Sequence, residues 1–311
     1  MLEKRILIGT MDLDSDDRII AQGDYRRALN FLNAKNNKDS LGAGEKSLGT
    51  REVSFSLPLG GNEVIGSYWE KTINKVFYFV YNDNNSHGIY QYDVTTEVIT
   101  TVLQDSVLNF DKLYPILHID YVDGKLFWTD GLNEPRYINV ENAINGVYTY
   151  STDQYIDAIQ YAPLSQPSGV YGSDASKGAN NLYGKLFQFR YQWVYDDNQL
   201  SAFSPISALV LPQSESSFID QYALSSNNNL ISVSFNSGID KVKKVRLAVR
   251  EGNTTDWYLV REFVKSEEGW SDNASVSFDF YNDEIYTALD QSDTNRLFDY
   301  IPLKAEEDSV S

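Results

Sequence analysis

The sequence contains no cysteine. That absence excludes a disulfide framework, a thiolate nucleophile and a cysteine zinc site. Histidine occurs twice, as His87 and His118. The two stand about thirty residues apart, without the H-x-x-x-H or H-x-H spacing of a metal site. Basic residues are the next shortage: 26 Lys and Arg face 44 Asp and Glu, for a net charge of −18. Such a surface lacks the clustered cations that nucleic-acid binding requires to displace counterions. It suits solubility, or a wall that repels DNA. Long hydrophobic runs are missing too. The start, MLEKRILIGTMDLDSDD, has only Ile6–Ile8 as an apolar patch before the acids arrive. No secretory h-region is expected there, and no run approaches membrane-spanning length. Synthesis in a cytoplasm is the expectation. No G-x-S-x-G, P-loop or G-x-G-x-x-G is present. Gly42–Ser47 (GAGEKS) only mimics the end of a P-loop and is expected to be a loop.

Aromatic residues are abundant, with 22 tyrosines among 311 residues. Flat rings suit a pleated surface, and tyrosine suits surfaces that bind. Residues 1–50 are expected to be an irregular arm whose one helical candidate is Asp24–Asn33, with Tyr25, Ala28, Leu29 and Leu32 on one face. From Arg51 the texture changes to short strands. They are expected over Val53–Leu57, Glu63–Trp69, Lys75–Tyr81, Gly88–Asp93 and Val98–Leu103, then Ile116–Val122, Lys125–Asp130 and Pro135–Val140. Asp123-Gly124 and Asp130-Gly131 are hairpin marks, since glycine accepts a positive φ at a tight turn. KVFYFVYNDNNSHGIYQYDV and KLFWTDGLNEPRYINV share one grammar at a spacing of about 45–50 residues, the period of propeller blades.

Residues 166–182 read as a linker. From residue 183 a second module is expected, with a long aromatic strand, an Asp-Asp-Asn turn and a second strand closed by Pro212. Leu230–Phe235, Lys244–Arg250, Trp257–Val264 and Ser275–Phe280 follow. This spacing suits a sandwich of immunoglobulin or fibronectin-III type. The expected class is therefore all-β: a partial propeller over 51–165, a sandwich inserted or appended over 183–282, and a connector over 283–311. Two blades cannot close a ring, so the chain reads as the front of a longer protein or as an open sheet.

Asp12, Asp14 and Asp16 have the spacing of half a calcium loop. Asp17 stands where that loop needs glycine, and Gly23 where it needs a bidentate glutamate, so no metal is assigned. Asp123, Asp130 and Glu134 make the best carboxylate trio for glycoside cleavage, yet turns account for Asp123 and Asp130. No catalytic residue and no cofactor is expected. Tyr148, Tyr150, Tyr155, Tyr161 and Tyr171 fall in a low-propensity stretch that must pack on something, either a neighbouring subunit or a sugar.

One segment carries a resemblance. GTMDLDSDDRIIAQGDYRRALN, with Asp12, Asp14, Arg18, Gly23, Tyr25, Arg26, Ala28 and Asn30 in place, resembles the N-terminus of tail proteins of short-tailed, crAss-like bacteriophages (muzzle, nozzle and DNA-stabilisation proteins). The likeness runs on through GSYWEKTINKVFYFVYN, KLFWTDGLNEPRYINV, YQWVYDDNQLSAFSPIS and NRLFDYIPLKAE, over nearly the whole chain. KLFWTD is also similar to the repeat of YWTD propellers. The first resemblance implies a structural virion protein near the distal end of a tail, part of a ring that plugs the DNA channel and later releases the genome. It implies a homo-oligomer contacting other tail or portal-hub proteins, with DNA only as passing cargo. Asp12, Asp14, Arg18, Tyr25, Arg26 and Asn30 are then the expected subunit contacts. The alternative is a glycan- or receptor-binding adhesin module, and a third reading is a polysaccharide-cleaving enzyme.

Overall fold

The computed structural model describes residues 12, 16, 19, 24, 31–34, 43–46, 52–211 and 228–290. The chain divides into two compact units, 1–56 and 57–311. In the first, strand β1 (Phe31–Ala34) pairs antiparallel with β2 (Ala43–Lys46), Phe31 opposite Lys46 and Ala34 opposite Ala43. This corrects two expectations. The end of the proposed helix is a strand, because Asn30 and Asn33 are poor helix formers and sheet pairing overrides a weak local preference. Ala43–Lys46 of the P-loop-like string is the partner strand instead of a loop. Tyr25–Asn30 lie outside the described residues. Val53–Leu57, expected as a strand, is irregular.

The second unit starts with an antiparallel meander of β3 (Asn62–Glu70), β4 (Lys75–Asn82), β5 (Gly88–Asp93) and β6 (Val98–Gln104), in consecutive order. Asn74, Asn85 and Glu97 take left-handed backbone at its three turns. A three-stranded sheet follows: β7 (His118–Val122), β8 (Lys125–Thr129) and β9 (Arg136–Asn139). The β7–β8 link is the two-residue turn Asp123-Gly124, with φ of 49° and 78°, the primed turn that matches strand twist. The two sheets share a core in which Phe77, Phe79 and Ile89 meet Ile119, Leu126, Trp128 and Ile138. Phe79 and Trp128 make an edge contact at 5.5 Å. Gly66 lets β3 approach closely, since a Cβ there would stand 2.9 Å from the Ile116 carbonyl oxygen. A one-turn helix, α1 (Val140–Ile144), leaves β9; Asn139 caps it by accepting the Asn142 N–H.

Among the described residues seven more strands follow: β10 (Ser168–Gly172), β11 (Phe187–Tyr195), β12 (Leu230–Asn236), β13 (Val242–Glu251), β14 (Tyr258–Val264), β15 (Ser275–Phe280) and β16 (Thr287–Ala288). They form two antiparallel sheets, β10-β12-β15 and β11-β13-β14-β16. Strict alternation in β12 sends Ile231, Val233 and Phe235 inward. There they meet Phe187, Phe189, Tyr191, Val245 and Leu247 of the other sheet in a second core. Ser168–Gly172, expected in a linker, is thus a strand, paired by a side that is only partly apolar.

The second strand expected after the Asp-Asp-Asn turn is not a strand. Residues 199–211 lie along the free edge of β11 with three of their residues set against two of its own. The N–H groups of Ser201, Ser204 and Ser207 donate to the carbonyls of Trp193, Tyr191 and Phe189 at 2.8–3.0 Å. Their hydroxyls accept the N–H of those same three residues at 2.9–3.0 Å. Each serine therefore satisfies both groups of one edge residue, and no ladder is needed to close the edge.

On the outer face of β11, Arg190 is fully buried. Its guanidinium lies 4.2 Å from the ring centres of Phe203 and Trp257, and Arg250 stacks on Trp257 at 4.9 Å. Among the described residues no hydrogen-bond partner reaches any of the three Arg190 nitrogens. Burial, then the charge of Arg250, pulls its pKa down to about 10.

Candidate functional site: a tyrosine-lined seam

The stretch after α1 is fixed along β9 by backbone bonds. Tyr137 donates to the Ile156 carbonyl at 2.6 Å and Ala158 to Pro135 at 2.8 Å, with a bridge pairing Arg136 and Asp157. This holds Tyr148, Tyr150 and Tyr155 on one side of β9. Two turns of the second sheet pair face them. One follows β11 (Asp196–Gln199) and the other precedes β13 (Gly238–Lys241). The Asp196 N–H donates to the Lys241 carbonyl at 3.0 Å, so the turns are tied together. Asn198 takes a positive φ at the first turn, and Gly238 takes one at the entry to the second.

Polar bonds join the two sides. The Tyr148 hydroxyl donates to Asp196 at 2.8 Å and the Tyr155 hydroxyl to Asp240 at 2.7 Å. Lys241 donates to the Tyr137 hydroxyl at 2.8 Å and to the Tyr155 carbonyl at 3.2 Å. Tyr137 in turn donates to Asp197 at 3.3 Å, and Lys125 pairs with that carboxylate at 3.1 Å. The Tyr195 hydroxyl donates to the Tyr161 carbonyl at 2.8 Å. Lys241 also lies 4.6 Å from the Tyr137 ring centre. A bond between neutral groups contributes about 0.5–1.5 kcal/mol, and one to a charged group about 1.5–3 kcal/mol.

Burial governs the electrostatics. It pushes the phenols of Tyr137, Tyr148, Tyr150 and Tyr155 well above the usual tyrosine range, and neighbouring aspartates add to the rise. Burial lowers the Lys241 ammonium, against the pull of Asp196 and Asp197. Asp157 is pushed up to about 6 by burial, with the Tyr161 hydroxyl and Arg136 acting the other way. The phenols thus remain protonated donors at neutral pH. A cleft of about 540 Å³ opens in the seam.

Of the five tyrosines that the sequence singles out, Tyr148, Tyr150 and Tyr155 come together here, and Tyr161 contributes its carbonyl. They are partly or largely buried against the chain's own second sheet pair, which makes the stretch an internal seam. Tyr171 belongs to the core of that sheet pair, its hydroxyl aimed at the Lys185 carbonyl. Asp130 accepts the N–H groups of Leu132 and Asn133 and the Asn133 amide, which is the work of a turn. His87 accepts the Asn82 N–H and packs on Tyr81 and Phe110, its pKa lowered by burial. His118 pairs across from Thr129 in β7. Asp14, Arg18, Tyr25, Arg26 and Asn30 lie outside the described residues. Among the described residues no three His, Asp or Glu side chains cluster to hold a metal, and no helix is long and apolar enough to cross a membrane. Sequence reasoning missed Tyr137, Lys241 and the aspartates at 196, 197 and 240. Their signal was the Asp-Asp and Asp-Lys pairs at two turns, which turn chemistry alone explains.

No curated protein matches the chain. Residues 1–247 match the Crassvirus muzzle protein family, and the chain belongs to that family.

Proposed function

We propose that this muzzle protein is a non-enzymatic structural component of a phage tail, part of a ring at its distal end that plugs the DNA channel and takes part in genome ejection. The family match over residues 1–247 carries the reading. The consecutive four-stranded meander β3–β6 has the form of a propeller blade, and β7–β9 would be most of a second. The sheets β10-β12-β15 and β11-β13-β14-β16 would form the immunoglobulin- or fibronectin-III-like sandwich at the periphery. A net charge of −18 keeps passing DNA from adhering to the channel wall. Subunits would assemble as a homo-oligomer through Asp12, Asp14, Arg18, Tyr25, Arg26 and Asn30, and would join other tail or portal-hub proteins. Synthesis would take place in the host cytoplasm and residence in the virion.

Particle fractionation with an antibody to this chain tests the reading, together with antibody labelling of whole virions by electron microscopy. The expected result is co-sedimentation with tailed particles and label at the end of the tail. A chain found only in the particle-free fraction overturns it.

A further inference from the structure

We propose that the cleft in the tyrosine seam is a binding site for a neutral saccharide. Its volume, about 540 Å³, falls within the range of small-ligand sites. The decisive observation is Tyr150. The residue is 8 % exposed, it lines the cleft, and its hydroxyl bonds to no group among the described residues. The ring is buried, and the hydroxyl is left as a donor and acceptor for whatever fills the cleft. Other groups on the cleft wall have bonding capacity to spare. The Asn142 amide and the Asp123 carboxylate stand without protein partners among the described residues. Asp196 uses one oxygen on Tyr148 and keeps the other.

The charge and polarity of the walls select the ligand class. Asp123, Asp196 and Asp197 balance Lys125, Lys241 and Lys243, so the lining carries no net charge and offers nothing to an anion. An apolar ligand would strip water from these charges without replacing it. No three carboxylate or imidazole groups converge for a cation among the described residues. A polyhydroxylated ligand matches what is left. Its hydroxyls both donate and accept, as a phenol, an amide and two carboxylates require, and tyrosine rings line the same space. Asn142 and Tyr150 come from the β9 side and Asp196 and Lys243 from the other, so a bound sugar would tie the two sides together. The inference is independent of the place of the chain in the virion: a chain absent from particles would still bind.

Isothermal titration of the full chain with maltotriose, cellotriose, chitotriose and mannotriose tests it, with Tyr150→Phe and Asn142→Ala in parallel. Saturable binding of at least one trisaccharide is expected, with a Kd of about 1 mM or tighter. Tyr150→Phe removes only an atom that the protein itself does not use. It should weaken binding about tenfold, the worth of one good hydrogen bond, and leave the unfolding temperature unchanged. Heat without saturation from all four sugars on folded protein overturns the proposal, and so does equal affinity in Tyr150→Phe. Either outcome assigns the cleft to water.

Discussion

Lys241, a central residue of a β-turn, places its ammonium 2.8 Å from the hydroxyl of Tyr137, a residue 104 positions earlier in the chain. The bond joins two parts of the protein whose apolar cores are separate, one around Phe79 and Trp128 and the other around Phe189 and Phe235. Cohesion between them therefore rests largely on polar contacts, which depend on each partner being present.

Replacing Lys241 with methionine keeps the stem's packing but removes a donor from the Tyr155 carbonyl and leaves the Tyr137 hydroxyl with the Gln160 amide alone. Stability should fall by about 1–3 kcal/mol. Urea unfolding checks this, and an unchanged midpoint would show that the bond does not hold the seam.

Ser204→Ala keeps the backbone bond to Tyr191 but leaves the buried Tyr191 N–H without its acceptor. The expected cost is about 1–3 kcal/mol. Hydrogen exchange should quicken at the Tyr191 amide, with smaller effects at Phe189 and Trp193, where serine hydroxyls remain. Uniform acceleration along β11 would contradict the separate action of each serine.

Arg190 is buried between two rings with no anion beside it among the described residues, so the cation–π attraction works against a large desolvation cost. Arg190→Met should be neutral or stabilising, by up to about 2 kcal/mol, and Arg190→Lys destabilising, because an ammonium gives up more hydration. A denaturant midpoint that falls sharply in Arg190→Met would reveal a function for the charge that the fold does not explain.

Asp157 gives a pH dependence of definite sign. Its folded pKa, about 6, lies above its ordinary value of 3.8. The folded state therefore holds the proton more tightly than the unfolded chain. That stabilisation is fully present below pH 4 and is lost as pH rises to about 6. Asp157→Asn should abolish a loss of roughly 2–3 kcal/mol over this window. Glu70, Asp93 and Asp174 titrate below their ordinary values and act in the opposite sense, so the comparison is wild type against variant at each pH. Parallel curves would contradict the assignment.

Most strands were legible because burial on one face writes itself into the residue pattern. Gly88–Asp93 and Ser275–Phe280 match expectation to the residue, and β4, β6, β8 and β14 to within a residue at either end. Ser168–Gly172 left little trace, since one of its faces is small and polar. The helix-like spacing of Tyr25, Ala28, Leu29 and Leu32 misled because a strand partner twelve residues on outweighs it at Phe31–Ala34. The seam was half legible. A tyrosine-rich stretch of low propensity signalled that something covers it, but the cover comes from turns at 196–199 and 238–241. Only the folded topology brings those turns near, and no local pattern marks them.

The serine spacing along β11 makes the position of residues 199–211 a matter of whole steps. Sliding the segment forward by one residue would set Ala202, Pro205 and Ala208 in the serine places. All three hydroxyls would be lost at once, and Pro205 has no N–H to offer the Tyr191 carbonyl. Ordinary strands can creep, trading one ladder bond for the next. Here the segment is either in gear or out of it, and the sheet edge it guards has no half-open state.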